Sequence, residues 1–365
     1  MKPIKPVFAA TGLAVAGLLA LSLWTPAQAQ SLTRDLDLGP EEAQAITQAV
    51  EAGTYGSVTS LLVLHEGETV FEAYFGEAGP DTLHDTRSVT KTVTAMVVGA
   101  AIADGHLTLQ TPLAGLFDDL MPFAAPDPRK QAITVEDLLT MSGPLECDDW
   151  NQFSRGNEER MYLVEDWSRF FWDLPVRGFP SWQTPPAQAR YGRAFSYCTA
   201  GVQLLGEAVQ RASGEAFTDY AERRILTPLG ITAPGWARNG LGQAHMGGGL
   251  RLSTTALGAL GELYRTGGGD ILPPDWIEAS LQPRAVVPDT PGWEYGYLWW
   301  LMPYEVDGVT YRAAAMTGNG GNRVMILPEF GVTLVFTNTD FNTRGMHERA
   351  GAFFQDEIVA RLRVE

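Results

Sequence analysis

Lysine is nearly missing from this chain. Its 365 residues hold four lysines, Lys2, Lys5, Lys91 and Lys130, against 22 arginines. Cysteine is scarcer still, with only Cys147 and Cys198, too few for a disulfide-built scaffold. Beyond the first 29 residues no apolar run is long enough to span a bilayer. Basic residues are outnumbered, and the formal net charge of −17 disfavours nucleic acid and anionic membrane surfaces as partners. His84, His106, His245 and His347 show no metal-binding spacing such as H-E-x-x-H, so neither a metal nor another cofactor is expected. Internal repeats and low-complexity linkers are absent as well.

What is present begins with a leader. Lys2 and Lys5 make a positive start, Val7 to Leu23 is apolar, and Ala27-Gln28-Ala29 is a small-x-small cleavage pattern. Residues 1–29 are therefore expected to be a signal peptide, cut after Ala29, with the mature protein periplasmic or secreted. An uncleaved leader acting as a membrane anchor is the lesser alternative. In an oxidising compartment Cys147 and Cys198 are expected to pair, the alternative being two separate buried thiols.

With the leader removed, one of the two remaining lysines stands in Ser88-Val89-Thr90-Lys91. Arginine replaces lysine as a surface charge but not as a base, because guanidinium keeps its proton whereas a desolvated ammonium gives it up. Positions i and i+3 share one helix face. The run from Thr90 to Ile102 reads as a mostly buried helix, with Ser88 at its first turn beside free backbone N–H groups. A serine hydroxyl is a weak nucleophile until a base takes its proton, and Lys91 is placed to be that base. The competing reading is an N-capping serine with a surface lysine.

Along the rest of the chain, Glu41–Ala52 reads as a helix. Val58–Leu64 and Thr69–Phe75 read as a hairpin turning at His65-Glu66-Gly67-Glu68. Helical runs at Thr134–Met141, Glu159–Phe171, Gly201–Ser213, Phe217–Leu226 and Ser253–Thr266 follow. Strand-like runs at Tyr295–Leu301, Val309–Ala315, Arg323–Leu327 and Val332–Thr337 come next, and His347–Leu362 reads as a closing amphipathic helix. The pattern predicts an α/β (α+β) fold: an antiparallel sheet flanked by helices and built from both chain ends, with a mostly helical insertion. Residues 30–365 would form a single domain, its α/β part at about 30–104 and 246–365 and its helical part at about 105–245.

Three segments then fit one description: Ser88-Val89-Thr90-Lys91, Tyr197-Cys198-Thr199 and Met316-Thr317-Gly318-Asn319. With Leu138–Gly143 and Gly247–Ser253 they make the chain resemble the class C β-lactamase-related serine hydrolases. That superfamily spans β-lactamases, D-alanyl-D-alanine carboxypeptidases, family VIII esterases and oligomeric-amide hydrolases. The resemblance implies that Ser88 is the acylated nucleophile and that Lys91 helps deprotonate it. It implies that Tyr197 shuttles the proton, and that the backbone N–H groups of Ser88 and Asn319 form the oxyanion hole. Thr199 takes the place of the asparagine of the family's Y-x-N motif. Met316 stands where a lysine or histidine usually precedes Thr-Gly. Both changes remove groups that hold a β-lactam, and the missing cation points to an alkaline activity optimum.

Thr199, Met316, Thr317, Gly318, Trp150 and Arg323 are the candidate substrate-binding residues. Trp182 and Trp293 sit in loops that can also border the cleft, or simply pack. Asp148 and Asp149 either bind a cationic substrate group or form a solvated acidic loop. No G-x-S-x-G elbow is present, and neither S-D-N nor E-x-x-L-N occurs, which argues against an α/β-hydrolase and a class A β-lactamase. The expected activity is cleavage of a small-molecule ester or amide, or of a short peptide. D-aminoacyl peptidase and β-lactamase are ranked lower. A catalytically inactive cell-envelope binding protein of the same fold is the alternative of a different class.

Overall fold

The computed structural model describes residues 34–364; the expected leader, 1–29, lies outside them. Strand β1 (Arg34–Leu36) and helix α1 (Pro40–Glu51) open the chain, and strands β2 (Val58–His65) and β3 (Glu68–Tyr74) form the expected hairpin. Its turn residues Glu66 and Gly67 both have positive φ, 51° and 85°, the geometry that matches the strands' twist. A two-residue strand β4 (His84–Asp85) leads into helix α2 (Val89–Ala103). Every residue from Val89 to Ala101 is buried, so α2 is enclosed on all sides, its polar Thr90, Lys91, Thr92 and Thr94 included.

The middle of the chain is helical. It contains α3 (Pro128–Gln131), α4 (Val135–Leu139), α5 (Glu158–Met161), α6 (Trp167–Asp173), α7 (Thr199–Ser213) and α8 (Phe217–Ala221). The Glu159–Phe171 run is not one helix. Asn157 caps α5, and Asp166 accepts the Arg169 N–H to start α6 afresh, so a turn separates the two pieces. Strands β5 (Gly235–Trp236) and β6 (Leu250–Leu252) join β4 in a small sheet that the sequence pattern did not reveal.

Helices α9 (Thr254–Arg265) and α10 (Pro274–Ser280) precede the main strands β7 (Ala285–Val286), β8 (Glu294–Tyr295), β9 (Trp300–Val306), β10 (Val309–Thr317), β11 (Arg323–Leu327) and β12 (Val332–Asn338). The eight-stranded sheet runs β3-β2-β12-β11-β10-β9-β8-β7 and is antiparallel throughout. The expected antiparallel sheet flanked by helices, built from both chain ends, is thus observed. The Tyr295–Leu301 run breaks into two strands where Leu298 takes a φ of 57°.

Residues of β12 are buried on both faces. On one face α9 lies so close that a Cβ on Gly258 would fall 2.7 Å from Leu62. On the other, Phe353 of helix α11 (Met346–Phe353) packs on Phe336, with ring centroids 5.0 Å apart. The expected closing helix at His347–Leu362 is α11 continued by a wider helical turn at Phe354–Ile358 and a tighter one at Val359–Arg361, after which β13 (Leu362–Val364) pairs with β1. No described helix is long and apolar enough to cross a membrane.

Candidate active site

Ser88 is the N-cap residue of α2, reached through Arg87, whose φ of 52° turns the chain sharply into the helix. One turn on, Lys91 is 1% exposed. Its Nζ lies 2.9 Å from Ser88 Oγ and donates to the Gly247 carbonyl at 2.6 Å. Burial lowers the Lys91 pKa, opposed by the negative charges of Glu158 and Asp149. An amine sealed in this way is held toward its neutral form, the form that accepts a proton. Lys130, the other lysine, is also buried, but its Nζ is used on the carbonyls of Ala124 and Trp172.

Tyr197 precedes α7 on a segment pinned from behind by the loop after α4. Ser196 N–H donates to the Met141 carbonyl, Ser196 Oγ to the Cys147 carbonyl, and Asp149 N–H to the Tyr197 carbonyl. Cys147 and Cys198 are disulfide-bonded, which ties that loop to the residue after Tyr197. The phenol lines the same cavity as Ser88, and Lys91 Nζ is 5.0 Å from the ring centre. Burial pushes the phenol pKa well above its usual value, and Glu158 and Asp149 push the same way. Burial thus favours the neutral form of both the phenol and the amine beside the hydroxyl.

On the third side β10 runs past the Ser88 turn. A Cβ on Gly318 would lie 1.9 Å from the Thr86 carbonyl oxygen and 3.2 Å from Ser88 N, so only glycine permits this approach. Among the described residues the backbone N–H groups of Ser88 and Asn319 make no hydrogen bond. The Asn319 side chain is fastened to Asn342 by two bonds, at 2.6 and 2.8 Å.

These groups open on a cavity of about 500 Å³ whose lining includes Ser88, Tyr197, Trp150, Thr317, Gly318 and Arg323. Its aromatic wall is continuous: Trp150 stacks on Tyr197 at 5.8 Å and on Trp300 at 6.2 Å, and Trp293 meets Trp300 edge-on. Arg323 is 5% exposed, donates to the His347 carbonyl at 3.0 Å, and has its pKa lowered by burial to about 10.

Two expected substrate-binding residues do not line this cavity. Met316 is fully enclosed within the sheet, and Thr199 is fully enclosed at the start of α7. Trp182, 82% exposed, does not line it either, and the same holds for Asp148.

The group that sequence reasoning missed is Glu158. Thr199 Oγ1 sits 2.7 Å from Asp149 Oδ2 and 2.9 Å from Glu158 Oε2, and both carboxylates line the cavity. Burial and Glu158 raise the Asp149 pKa to about 7, against the pull of Lys91 and the Thr199 hydrogen bonds. Glu158 reads in sequence as an ordinary acidic first-turn residue of a helix, and nothing in its spacing marks it.

The chain is similar to known proteins over most of its length. The Beta-lactamase family model matches residues 43–354. Penicillin-binding protein 4 of Amycolatopsis lactamdurans is 27% identical over 171 residues, covering 46% of this chain and 38% of that protein. Lovastatin esterase of Penicillium rubens is 26% identical over 223 residues, covering 54% and 50%. The chain thus spans half or less of the length of these curated relatives. Among solved structures, EstCE1, described as a hydrolase with promiscuous acyltransferase activity, superposes with a TM-score of 0.68 at 15% identity, over 87% of this chain and 97% of that one. With a match that runs from α1 to the end of α11, the chain belongs to the Beta-lactamase family.

Proposed function

We propose that this protein is an exported serine hydrolase that cleaves a carboxylic ester or small amide through an acyl-enzyme on Ser88. The observation that carries the reading is the Lys91 amine, sealed from solvent 2.9 Å from Ser88 Oγ, with Tyr197 lining the same cavity. The Ser88 hydroxyl passes its proton to the neutral Lys91 amine as Oγ attacks the carbonyl carbon. The oxyanion is met by the N–H groups of Ser88 and Asn319, and each such donor contributes about 3 kcal/mol to the transition state in related chemistry. Tyr197, still protonated, donates to the departing alkoxide or amine and is recharged from Lys91. Water then attacks the acyl-enzyme by the same route in reverse.

Met316 and Thr199 place β-lactam turnover below ester hydrolysis. The enclosed Met316 brings no cation to the site, and Thr199 is committed to two carboxylates. The Cys147–Cys198 bond and the leader at 1–29 support export. A fluorophosphonate probe should label the wild type and not Ser88→Ala. A panel of p-nitrophenyl esters, a chromogenic cephalosporin and D-Ala-D-Ala peptides should show turnover of the esters first. An unlabelled wild type that turns over none of the panel overturns the reading.

A further inference from the structure

Ser88 is reached along a stretch of backbone that needs an anchor. Strand β4 has only two residues, His84 and Asp85, paired with Leu252 and Arg251 of β6. Between β4 and Ser88 stand Thr86 and Arg87, and the positive φ of Arg87 is a strained conformation that persists only where the surroundings hold it.

The His84 side chain supplies a hold that so short a ladder lacks. Its Nδ1 lies 3.2 Å from Thr59 Oγ1, and Thr59 Oγ1 lies 2.7 Å from Thr337 Oγ1. Thr337 Oγ1 lies 2.6 Å from Ser60 Oγ, and Ser60 Oγ 2.6 Å from Thr254 Oγ1. Thr254 Oγ1 then lies 3.0 Å from His84 Nε2, and the path closes on itself. One ring of four hydroxyls and an imidazole joins β4, β2, β12 and α9. Adjacent strand residues normally face opposite ways. Here the β2–β12 register slips beside Thr59, so Thr59 and Ser60 both reach Thr337. Ser60, Thr337, Thr254 and His84 are all buried.

Counting hydrogens fixes the state of this ring. Each hydroxyl donates once and a neutral imidazole donates once, so five hydrogens serve five links. In the Thr254–Ser60 link Thr254 is the donor. Carried round the ring, that sense makes Ser60 donate to Thr337, Thr337 to Thr59, and Thr59 to His84 Nδ1. The imidazole then carries its own hydrogen on Nε2 and donates it to Thr254. An imidazolium would bring one hydrogen too many, and a link would have to open. The Thr337 hydroxyl has one other acceptor, the Ser60 carbonyl, at a longer 3.4 Å. The titratable side chains on the surrounding elements are engaged elsewhere. Glu72 and Tyr74 of β3 bond each other, and His65 at the far end of β2 faces Asp35. Asp85 pairs with Arg87 and with Arg251 of β6, and Glu262 pairs with Arg265 at the far end of α9.

We propose that His84 is a positioning residue for Ser88: as the Nε2–H tautomer it closes the hydroxyl ring and so fixes the strand from which the nucleophile turn departs. Resting on the Ser88 reading, this gives His84 no chemical step. It acts only through the backbone from 85 to 88.

The test uses the full mature protein labelled with heavy nitrogen at histidine, the His84 signals being identified by their loss in His84→Gln. Long-range nitrogen–proton spectra at neutral pH should show His84 neutral and protonated on Nε2. The ring is then cut with the isosteric Thr254→Val, cut at other links with Thr337→Val, and kept with Thr254→Ser. Assays are run well below the melting temperature of each variant. Either valine variant is expected to lower kcat for p-nitrophenyl butyrate about tenfold at unchanged KM and to release the fixed tautomer, whereas Thr254→Ser keeps both. A wild type protonated on Nδ1 overturns the inference, as does a wild-type kcat in the folded valine variants. Activity that survives the cut ring would sink the positioning role alone. A wild type unreactive toward ester and fluorophosphonate would sink the Ser88 reading, and the positioning role with it, whatever the tautomer.

Discussion

At the scale of single residues, the chain separates two tasks that lysine and arginine usually share. Surface charge is left to arginine, and in the proposed mechanism Lys91 is the base. Lys91→Arg cannot act as base and should lower kcat by about 10²–10⁴-fold, a loss that the nearly isosteric Lys91→Met should share. Retained ester hydrolysis in either variant would remove Lys91 from the mechanism. The pH profile follows from the same group. Lys91 must be unprotonated, so kcat/KM should rise as pH rises through its lowered pKa. The phenol pKa is raised, so no fall is expected until strongly alkaline pH. The rise should therefore lie below the ordinary lysine value of 10.5, and a rise found only there would contradict the reading.

At the scale of elements, the site is where three pieces of backbone meet: the first turn of α2, the segment before α7, and the end of β10. Gly318 sets the third approach. Gly318→Ala should push β10 off the Ser88 turn and cost about 10²-fold or more in kcat, with a smaller effect on the KM of esters. The Cys147–Cys198 bond sets the second. Cys147→Ser with Cys198→Ser should destabilise the fold by about 2–4 kcal/mol in denaturant titration and lower activity further by loosening Tyr197.

Legibility in the sequence followed the same division. Elements written in strong periodicity could be read directly: α2, the β2–β3 hairpin, and Arg323–Leu327 to the residue. So could Ser88, Lys91 and Tyr197 as candidates, because their spacing carries chemistry. What could not be read was set by side chains meeting across distant segments. Asp166 restarts a helix that looked continuous, Leu298 breaks a strand that looked whole, and Glu158 becomes part of the cavity only because Thr199, 41 residues away, draws it there.

At the scale of the whole molecule, buried histidines tie stability to pH. Burial lowers His84 to about 4 and His245 to about 3, from an ordinary 6.5. Their folded pKa is depressed, so their contribution is complete above about 6.5 and is lost as pH falls toward these values. For His84, 6% exposed, this amounts to about 3 kcal/mol at most. Asp149 has the opposite sign. Raised to about 7, it favours the fold below the usual carboxylate range and loses that contribution as pH rises through 7. Between pH 7 and pH 4 the two effects oppose each other, so the variant isolates the histidine: on acidification from pH 6.5 to pH 4 the melting temperature of His84→Asn should fall less, or rise more, than that of the wild type. Identical slopes would exclude His84 as a source.

One small ribbon has a larger consequence. Arg34 faces Val364 and Leu36 faces Leu362 across β1 and β13, so positions 330 residues apart along the chain are neighbours in space. The described fold is in effect a closed ring with its seam at that ribbon. A few glycines joining 364 to 34 would let the ring be opened elsewhere, for instance at the exposed Asp307-Gly308 tip between β9 and β10. The permuted protein would carry Ser88, Tyr197 and Asn319 in a new order along the chain while their arrangement in space stayed the same.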